Sequence, residues 1–365
     1  ILVLPMINSQ LHWFKDYENF ENRKGADQPE FNIEHLDPFP AQYDSFYNDH
    51  FNLRSRLIRL HNYFKILAFR KSPLPDKVII GKEGWLFPRG DEFDSYSGKH
   101  RLSPVELMKL KTELEYRQQY LNKRNCKFYF LIAPCKASMY PEKIGFEYHR
   151  LVNQTWGEQL IEFLTRYSNV KPINLFDTLR SHKQSDPFYH ALDNHWNELG
   201  GLYASNALIN RMRKDFPSLT PLDPSQFRRK KEVMEGGNMQ KMLGNLPLFK
   251  EEHIKLSPYA GYKAHEADKK NYPPTPGFAY PWEYEKVREQ TKEKGPTLLI
   301  VSDSFGEALF PFLAENFKRS VKIFDAWQYK LNEEIVESEK PDAYVMIVDE
   351  PLIRNILNNV PSRNN

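Results

Sequence analysis

The sequence predicts an α/β fold in which a parallel sheet is covered by helices on both faces. Continuous apolar segments, such as 127–133 and 297–301, alternate along the chain with segments of helical period. Strands that are apolar on both sides are typical of a parallel sheet buried between two helical layers. The chain has 365 residues, of which 40% are hydrophobic, so it is long enough to bury such a core.

Residues 1–75 predict a helical segment that packs on this body. Aromatic and leucine side chains recur there at helical spacing: Tyr43, Phe46, Tyr47, Phe51, Leu53, Leu57, Leu60, Tyr63 and Phe64. The apolar start, residues 1–7, is typical of the end of a signal peptide or membrane anchor, and equally of an ordinary apolar strand. No run elsewhere approaches the roughly twenty apolar residues that span a bilayer.

Residues 76–365 predict the α/β body. A hairpin is expected over 77–87, and Ser103 with Glu106 forms a capping-box pattern that begins a helix to about residue 123. The remaining expected elements are strands at 127–133, 170–175, 297–301, 321–324 and 343–348, and helices at 156–167, 197–213, 306–317 and 332–339. The segment from about 217 to 295 is rich in Pro, Lys, Glu and Tyr and predicts an irregular insert.

Charge and cysteine content narrow the classes of function. With 51 basic and 48 acidic residues the net charge is +3, which argues against a dedicated nucleic-acid binder. The short basic run at 228–231 predicts a solvated loop. Cys126 and Cys135 lie at the two ends of one predicted strand, too far apart for a disulfide, so both are expected to be unpaired. Two cysteines in a chain of this length are compatible with either an oxidising or a reducing cellular compartment.

Ser304 is the candidate nucleophile. It follows the apolar strand 297–301 and precedes a helix, the position where open α/β sheets place their ligands. Amides at the start of that helix can stabilise an oxyanion, and Asp303 beside the serine is a further candidate for substrate contact. The alternative is that Ser302, Asp303 or Ser304 only caps the helix.

His195 and Asp193 are the candidate base and its orienting acid. An imidazole that titrates near neutrality can accept the seryl proton, and an aspartate two residues earlier can fix its tautomer. Asn197 is expected to cap the next helix, and Trp196 to form a wall of the site. The alternative is a surface Asp-His pair. One Asp and one His are too few ligands for a metal.

Three further residues are candidates for substrate or oxyanion contact. Lys136 follows the strand 127–133 and is expected either to face the crevice or to be solvated. Gly237 and Asn238 lie in the insert and offer backbone amides and a carboxamide, although Gly-Gly-Asn is also an ordinary turn. Nothing beside Cys135 in the sequence indicates an activated thiolate.

At these residues the chain resembles the alginate O-acetyltransferase group, which is AlgJ/AlgX-like and is also called the DHHW family. The similar segments are Asp193-x-His195-Trp196, 302–305 (SDSF), 81–87 (GKEGWLF), Pro134-x-Lys136 with Tyr140-Pro141, Asp49-x-Phe51-x-x-Arg54, 237–239 (GNM, where GDL is usual) and Pro341-Asp342. The resemblance runs from about residue 40 to the C-terminus. The chain departs from the family pattern at Ser302, where Gly is usual, at Asn238, where Asp is usual, and at Asn194.

The resemblance implies a three-layer SGNH-hydrolase-like fold and an extracytoplasmic enzyme without a cofactor. Ser304 would form an acyl-enzyme, and His195 would then activate a hydroxyl of a cell-surface polysaccharide or exopolysaccharide. The implied partners are that acceptor, an acetyl donor and a membrane protein that delivers acetyl groups. Two alternatives stay open at this point: an acetylesterase with the same triad, and a catalytically silent polysaccharide-binding scaffold, which Ser302 would favour by crowding the turn.

Overall fold

The computed structural model describes residues 3–15, 25–31, 33, 36–183, 186–234, 236–278, 283–291, 294–358 and 360. In these ranges the helices are α1 (Leu4–Leu11), α2 (Phe39–His50), α3 (Arg54–Phe69), α4 (Asp91–Ser97), α5 (Pro104–Asn122), α6 (Lys136–Met139), α7 (Trp156–Tyr167), α8 (Leu175–His182), α9 (Glu198–Met212), α10 (Asn238–Met242), α11 (Gly306–Ala314) and α12 (Glu333–Glu339). The strands are β1 (Val78–Ile80), β2 (Leu86–Pro88), β3 (Lys127–Ala133), β4 (Ile173–Asn174), β5 (Phe227–Met234), β6 (Glu251–Pro258), β7 (His265–Glu266), β8 (Glu285–Glu289), β9 (Thr297–Ser302), β10 (Arg319–Phe324) and β11 (Ala343–Asp349).

The central sheet has the strand order β4-β3-β11-β9-β10-β8-β7. Its first five strands run parallel, as the sequence predicts, and β8 and β7 extend one edge in the antiparallel sense. In register, Ile300 of β9 lies opposite Val345 of β11 and Lys322 of β10. Every residue of β11 is buried, which is why this strand is apolar without alternation.

Two hydrophobic clusters lie on opposite faces of the sheet. Leu131 on β3 joins the cluster formed with α8, α9 and α11, whereas its neighbour Ile132 joins the cluster formed with α5, α7, α12 and the 3-10 helix Glu350–Leu357. Because successive strand residues face opposite sides, each strand contributes to both clusters. The result is three layers, helix on sheet on helix, so the predicted α/β class is confirmed.

Most of the predicted elements of the body lie where the sequence places them. The capping box of Ser103 and Glu106 begins α5, and Asn197 caps α9. The strand expected at 170–175 is shorter, because the Asn174 side chain accepts hydrogen bonds from the amides of Phe176 and Asp177 and begins α8. Helix α11 ends at Ala314, three residues before the predicted end at 317.

The insert predicted to be irregular contains regular structure. Strands β5 and β6 pair as an antiparallel ribbon, α10 follows β5, and β7 and β8 join the edge of the main sheet. The basic run 228–231 therefore lies on β5 and not in a loop. Charged side chains occupy both faces of this exposed strand, so the alternation of apolar and polar residues that marks a strand is missing from the sequence.

The N-terminal helices pack on the body through α3. Its Ile66 is buried with Val78, Leu192, Met239 and Leu243, and the Asn62 side-chain amide donates to the Leu243 carbonyl at 3.3 Å. The apolar start of the chain is helical in α1, not a strand, and residues 1 and 2 lie outside the described ranges. The division into two domains at residues 75 and 76 stays a prediction.

Two further sequence predictions concern membranes and thiols. None of the described helices combines the length and the apolar character that crossing a bilayer requires. Cys126 and Cys135 are both free and buried, which confirms that they are unpaired.

Candidate active site

Ser304 lies in the turn between β9 and α11, at the carboxyl edge of the parallel strands. The turn is fixed by its own backbone: the amide of Gly306 donates to the Asp303 carbonyl, and the amide of Glu307 donates to the Ser304 carbonyl, each at 3.1 Å. The Phe305 amide donates to Asp303 Oδ1 at 2.8 Å. The backbone amide of Ser304 has no hydrogen-bond acceptor within the described part of the chain. The Ser304 side chain is partly exposed.

His195 lies on the loop between α8 and α9 and reaches the serine across the sheet edge. Its Nε2 is 2.7 Å from Ser304 Oγ, and its Nδ1 is 2.6 Å from Asp193 Oδ1. The loop is held by a short antiparallel bridge between Tyr189 and Trp196. The structure therefore brings the three candidate residues together in one hydrogen-bonded chain.

Asp193 is buried, and its two carboxylate oxygens have different partners. Oδ1 contacts His195, and Oδ2 accepts a hydrogen bond from the Asn238 amide at 2.8 Å. Burial alone raises the pKa of Asp193, but the hydrogen bonds from His195 and Asn238 and the charge of the imidazole outweigh it and lower that pKa below its usual value. The carboxylate is thus ionised at neutral pH and can stabilise an imidazolium.

Trp196 does not form a wall of the crevice. Its side chain is fully buried, its Nε1 donates to the Phe305 carbonyl at 2.9 Å, and its ring meets the Phe305 ring edge-on at 5.0 Å. It therefore ties the histidine loop to the serine turn from beneath. A tryptophan can occupy this buried position because its indole N–H donates a hydrogen bond to the buried Phe305 carbonyl.

Lys136 points away from the crevice, which corrects the expectation that it faces the crevice or is solvated. Its Nζ is buried and donates to three carbonyls, those of Leu86 at 2.5 Å, Ala191 at 2.8 Å and Asp193 at 3.0 Å. Burial lowers the pKa of Lys136 to about 7, against the opposing effect of the Glu92 charge. The ammonium group therefore joins the β1–β2 hairpin to the loop that carries Asp193.

Asp303 is also an internal residue and does not contact the crevice. Its Oδ2 accepts hydrogen bonds from the Tyr329 hydroxyl at 2.6 Å and the Asp349 amide at 2.5 Å, while Oδ1 holds the Phe305 amide. Burial raises the pKa of Asp303, and these hydrogen bonds oppose the rise. Its role in the structure is to shape the turn that presents Ser304.

Gly237 and Asn238 contact the aspartate more closely than the serine. A Cβ on Gly237 would lie 2.4 Å from the Leu192 carbonyl oxygen, so only glycine allows this close approach. The Asn238 amide is occupied by Asp193 and is not available to an oxyanion. The Asn238 side chain, whose Nδ2 lies 3.4 Å from Asn194 Oδ1, remains a candidate donor.

Ser302 is accommodated without crowding the turn. Its side chain is buried against Gly306, where a Cβ would lie only 2.1 Å from Ser302 Oγ. The side chain of Ser302 thus occupies the space that is left by the missing side chain of Gly306, four residues later. The Ser302 hydroxyl has no hydrogen-bond partner in the described ranges.

Glu251 is a supporting residue that the sequence analysis missed. Its Oε2 accepts a hydrogen bond from the Leu192 amide and its Oε1 one from His190 Nδ1, both at 2.8 Å, so it holds the loop at two residues just before Asp193. It lies in a charged stretch at the start of β6, and nothing local in the sequence distinguishes it from its neighbours. Within the described ranges, no group of three or more His, Cys, Asp or Glu side chains is arranged to hold a metal ion.

Comparisons with known proteins agree with this geometry. Residues 78–272, just over half of the chain, match the family model described as "SGNH hydrolase-like domain, acetyltransferase AlgX". The probable alginate O-acetylase AlgJ of Pseudomonas aeruginosa is 26% identical over 174 residues, which are 48% of this chain and 43% of that relative. The match therefore spans less than half the length of the curated relative.

Solved structures show a similar fold. PatB1 of Bacillus cereus superposes with a TM-score of 0.58 at 17% identity, over 76% of this chain and 97% of that one. A DHHW family protein from Eubacterium siraeum gives a TM-score of 0.51 at 16% identity, over 77% of this chain and 94% of that one. Together with the family model, these structures confirm the resemblance drawn from the sequence motifs and the SGNH-like fold that it implies.

Proposed function

Because the chain belongs to the AlgX-type family of SGNH hydrolase-like domains, we propose that it is an O-acetyltransferase that works through an acetyl ester on Ser304. The observation that carries this proposal is the hydrogen-bonded chain from Asp193 through His195 to Ser304, with contacts of 2.6 and 2.7 Å. Acid, base and nucleophile in this order are the groups that acyl transfer through a serine requires.

In the first half of the reaction, Ser304 Oγ attacks the carbonyl carbon of the acetyl donor while His195 Nε2 takes the hydroxyl proton. Collapse of the tetrahedral intermediate breaks the bond to the donor's leaving group, which receives that proton from His195. The acetyl group then remains on Ser304. Asp193 accepts a hydrogen bond from His195 Nδ1 throughout and stabilises the imidazolium that forms between the two proton transfers.

In the second half, a hydroxyl of the acceptor gives its proton to His195 and attacks the acetyl carbonyl, which frees Ser304 when the proton returns to Oγ. The negative oxygen of each intermediate needs hydrogen-bond donors. The amides of Phe305, Gly306 and Glu307 are engaged within the turn. The Ser304 amide and the Asn238 side chain are therefore the proposed donors.

The acceptor in this proposal is a hydroxyl of a cell-surface polysaccharide or exopolysaccharide. The curated relative is named an alginate O-acetylase, which supports a polysaccharide acceptor of that kind. The protein would then act outside the cytoplasm, with an acetyl donor supplied by a membrane protein. No cofactor enters these steps.

An acetylesterase with the same triad would use water as the acceptor in place of the sugar hydroxyl. The alternative of a catalytically silent scaffold rested on Ser302 crowding the turn. The packing of Ser302 against Gly306 removes that argument.

The test is release of p-nitrophenol from p-nitrophenyl acetate by the purified protein, by Ser304→Ala and by His195→Ala. We expect each variant to lose on the order of 10³-fold or more in rate. Ser181→Ala and His149→Ala, which change exposed side chains of the same types, are the matched controls and should keep the wild-type rate. A wild type no faster than the two site variants would overturn the proposal for this donor.

Acceptor oligosaccharides added to the same assay distinguish an acetyltransferase from an acetylesterase. Acetylated oligosaccharide detected by mass spectrometry would support the transferase. Acetate as the sole product at saturating acceptor would favour the esterase instead.

A further inference from the structure

Helix α3 exposes an apolar stripe on the side that faces away from the body. Leu60, Phe64 and Leu67 follow one another at helical spacing and are 48%, 60% and 52% exposed, respectively. Asn62 and Ile66, on the opposite side of the helix, are buried against the body. Large apolar side chains in a continuous exposed row mark an interaction surface more often than scattered ones do. These three residues form the α3 stripe.

The sequence around the α3 stripe is predominantly basic, although Asp49 pairs with Arg54 at the start of the helix. Between residues 51 and 75 there are six Lys or Arg residues, one His and no Asp or Glu, although basic and acidic residues are nearly balanced in the whole chain. Arg70 and Lys71, just beyond the end of the helix, are both exposed. A helix with an apolar stripe and basic flanks matches an interface that is apolar inside and negatively charged at its surface.

Helix α1 and the residues after it place further exposed apolar side chains beside the start of α3. The Asn8 side-chain amide donates to Asn52 Oδ1 at 2.6 Å, and Arg56 donates to the Lys15 carbonyl at 2.5 Å, so the segment 8–15 is fixed against the start of α3. Residues 3–15 carry further exposed apolar side chains, namely Val3, Met6, Ile7, Leu11, Trp13 and Phe14.

We propose that the α3 stripe and its basic flanks form a contact surface for an anionic lipid bilayer, with α3 lying in the plane of the interface. Leu60, Phe64 and Leu67 would enter the boundary between headgroups and acyl chains. Lysine and arginine side chains at the flanks extend their charged ends toward lipid phosphates while their stems stay apolar. The excess of positive charge favours this occupant over a second copy of the chain, whose matching surface would carry the same excess.

The position of α3 relates this surface to the candidate site. Asn62 contacts the Leu243 carbonyl just after α10, and the first residue of α10, Asn238, holds Asp193. Only the short helix α10 therefore lies between α3 and the catalytic aspartate. Binding through the α3 stripe would keep the site close to the bilayer. The inference itself does not depend on the proposed acetyl transfer.

Vesicle sedimentation tests the proposal with the 365-residue chain. We expect the wild type to pellet with vesicles of phosphatidylglycerol and phosphatidylethanolamine, less with pure phosphatidylcholine, and less again as salt increases. The triple variant Leu60→Ser, Phe64→Ser, Leu67→Ser should lose about tenfold or more in partitioning to the anionic vesicles. The double variant Lys65→Glu, Lys71→Glu should lose the preference for the anionic vesicles over phosphatidylcholine.

The matched control is Val105→Ser, Met108→Ser, which removes exposed apolar side chains from α5 and should pellet like the wild type. Near-ultraviolet circular dichroism establishes that each variant is folded. The proposal is overturned if the folded wild type stays in the supernatant with both vesicle types, or if the triple variant pellets equally well. Wild-type dimers in light scattering that the triple variant abolishes, without vesicle binding, would assign the stripe to a second copy instead.

Discussion

Asp193 shows how one carboxylate can orient a histidine and be oriented itself. Its Oδ1 faces His195, and its Oδ2 is held independently by the Asn238 amide. The carboxylate therefore keeps its direction when the imidazole charge changes. Two separate contacts of this kind hold the carboxylate in a fixed position beside His195.

Replacement of Asp193 by Asn is expected to remove most of the activity while the fold persists. The carboxamide must turn its NH₂ group toward either His195 or the Asn238 amide, and both of those positions require an acceptor. We expect kcat for p-nitrophenyl acetate hydrolysis to fall by on the order of 10³- to 10⁴-fold with a small change in KM. Steady-state kinetics would measure this, with Asp177→Asn, at an exposed aspartate, as the control. A loss of less than about tenfold would contradict the assigned role.

Lys136 acts on the site through the backbone. Its three hydrogen bonds join the carbonyl of Leu86 on β2 to the carbonyls of Ala191 and Asp193 on the histidine loop. The rings of Trp85 and Phe87 lie about 5 Å from the ammonium group and shield it from water. This side chain thus reinforces the backbone hydrogen bond from the Leu86 amide to the Ala191 carbonyl, 2.8 Å long, which also joins the hairpin to the loop.

Lys136→Met, which keeps the aliphatic stem, is expected to lower the free energy of unfolding by roughly 2–4 kcal/mol because buried carbonyls lose their donor. The Asp193 loop should also loosen, so kcat should fall more than KM rises. Urea unfolding and steady-state kinetics measure the two effects. The control is Lys183→Met, since Lys183 also donates to a carbonyl, that of Met139, but is partly exposed and lies at the opposite end of the α8–α9 loop from His195. A variant with wild-type stability would rule out the bridging role.

At the scale of elements, the junction of β9 and α11 depends on two residues of complementary size. Ser302 ends the strand with a buried side chain, and Gly306 begins the helix where that side chain lies. A Cβ on residue 306 would be 2.1 Å from Ser302 Oγ and 2.7 Å from Ser302 Cβ. The strand and the helix can approach closely only because one of the two positions is small.

Gly306→Ala is therefore expected to destabilise the protein by about 1–3 kcal/mol, since the overpacked turn must shift. The shift would also move Ser304 and reduce esterase activity. Combined with Ser302→Gly, the same change should cost much less, because the colliding atoms are gone. A double-mutant cycle in urea unfolding measures the coupling. Additive effects of the two substitutions would show that they do not meet in this way.

Local signals account for the elements that the sequence predicts correctly. Capping boxes at Ser103 and Thr155 begin α5 and α7, and the uniformly apolar composition of β3 and β11 marks buried strands. The ribbon of β5 and β6 lacks such a signal, because its stability depends on pairing with a partner and on a few contacts such as those of Phe227 and Leu256. The charged sequence of this ribbon therefore resembles that of a loop.

At the scale of the whole molecule, local motifs predict the three candidate catalytic residues. They do not predict the direction in which the side chains around the site point. Lys136, Trp196 and Asp303 all turn inward, toward partners that are distant in sequence: Lys136 bonds carbonyls 50 or more residues away, and Trp196 bonds one 109 residues away. Such partners depend on how the strands and helices assemble. A sequence pattern can place these residues near the sheet edge without showing which way they face.

Several carboxyl groups are buried together at the carboxyl edge of the sheet. Glu350 accepts hydrogen bonds from the amides of Cys135 and Gly157, which joins α6 and α7 to the end of β11. Burial raises the pKa of Glu92 to about 8 against the opposing charge of Lys136, and burial followed by the nearby charge of Asp303 raises the pKa of Asp349 well above its usual value. The folded protein therefore holds protons there that the unfolded chain releases.

The sign of the resulting pH effect follows from linkage. For a carboxyl whose pKa is raised on folding, the stabilising contribution is complete below the unfolded pKa and is lost as pH rises through the folded pKa. For Glu92 this interval runs from 4.5 to about 8. The lowered pKa of Lys136 acts in the opposite direction only above about 7. Between about pH 5 and pH 7, Glu92 thus makes the free energy of unfolding fall as pH rises.

Glu92→Gln, which cannot ionise, should make the slope of unfolding free energy against pH less negative across that interval. Urea unfolding at intervals from about pH 5 to pH 7 measures the slope in both proteins. The difference between them reports Glu92 together with its effect on the pKa of Lys136, because the histidines and the other distant groups titrate in both. Glu162→Gln, at a partly exposed position on α7 paired with Arg166, is the control and should leave the slope unchanged. Equal slopes in the wild type and Glu92→Gln would mean that Glu92 is ionised in the folded protein, with Lys136 as its charged partner.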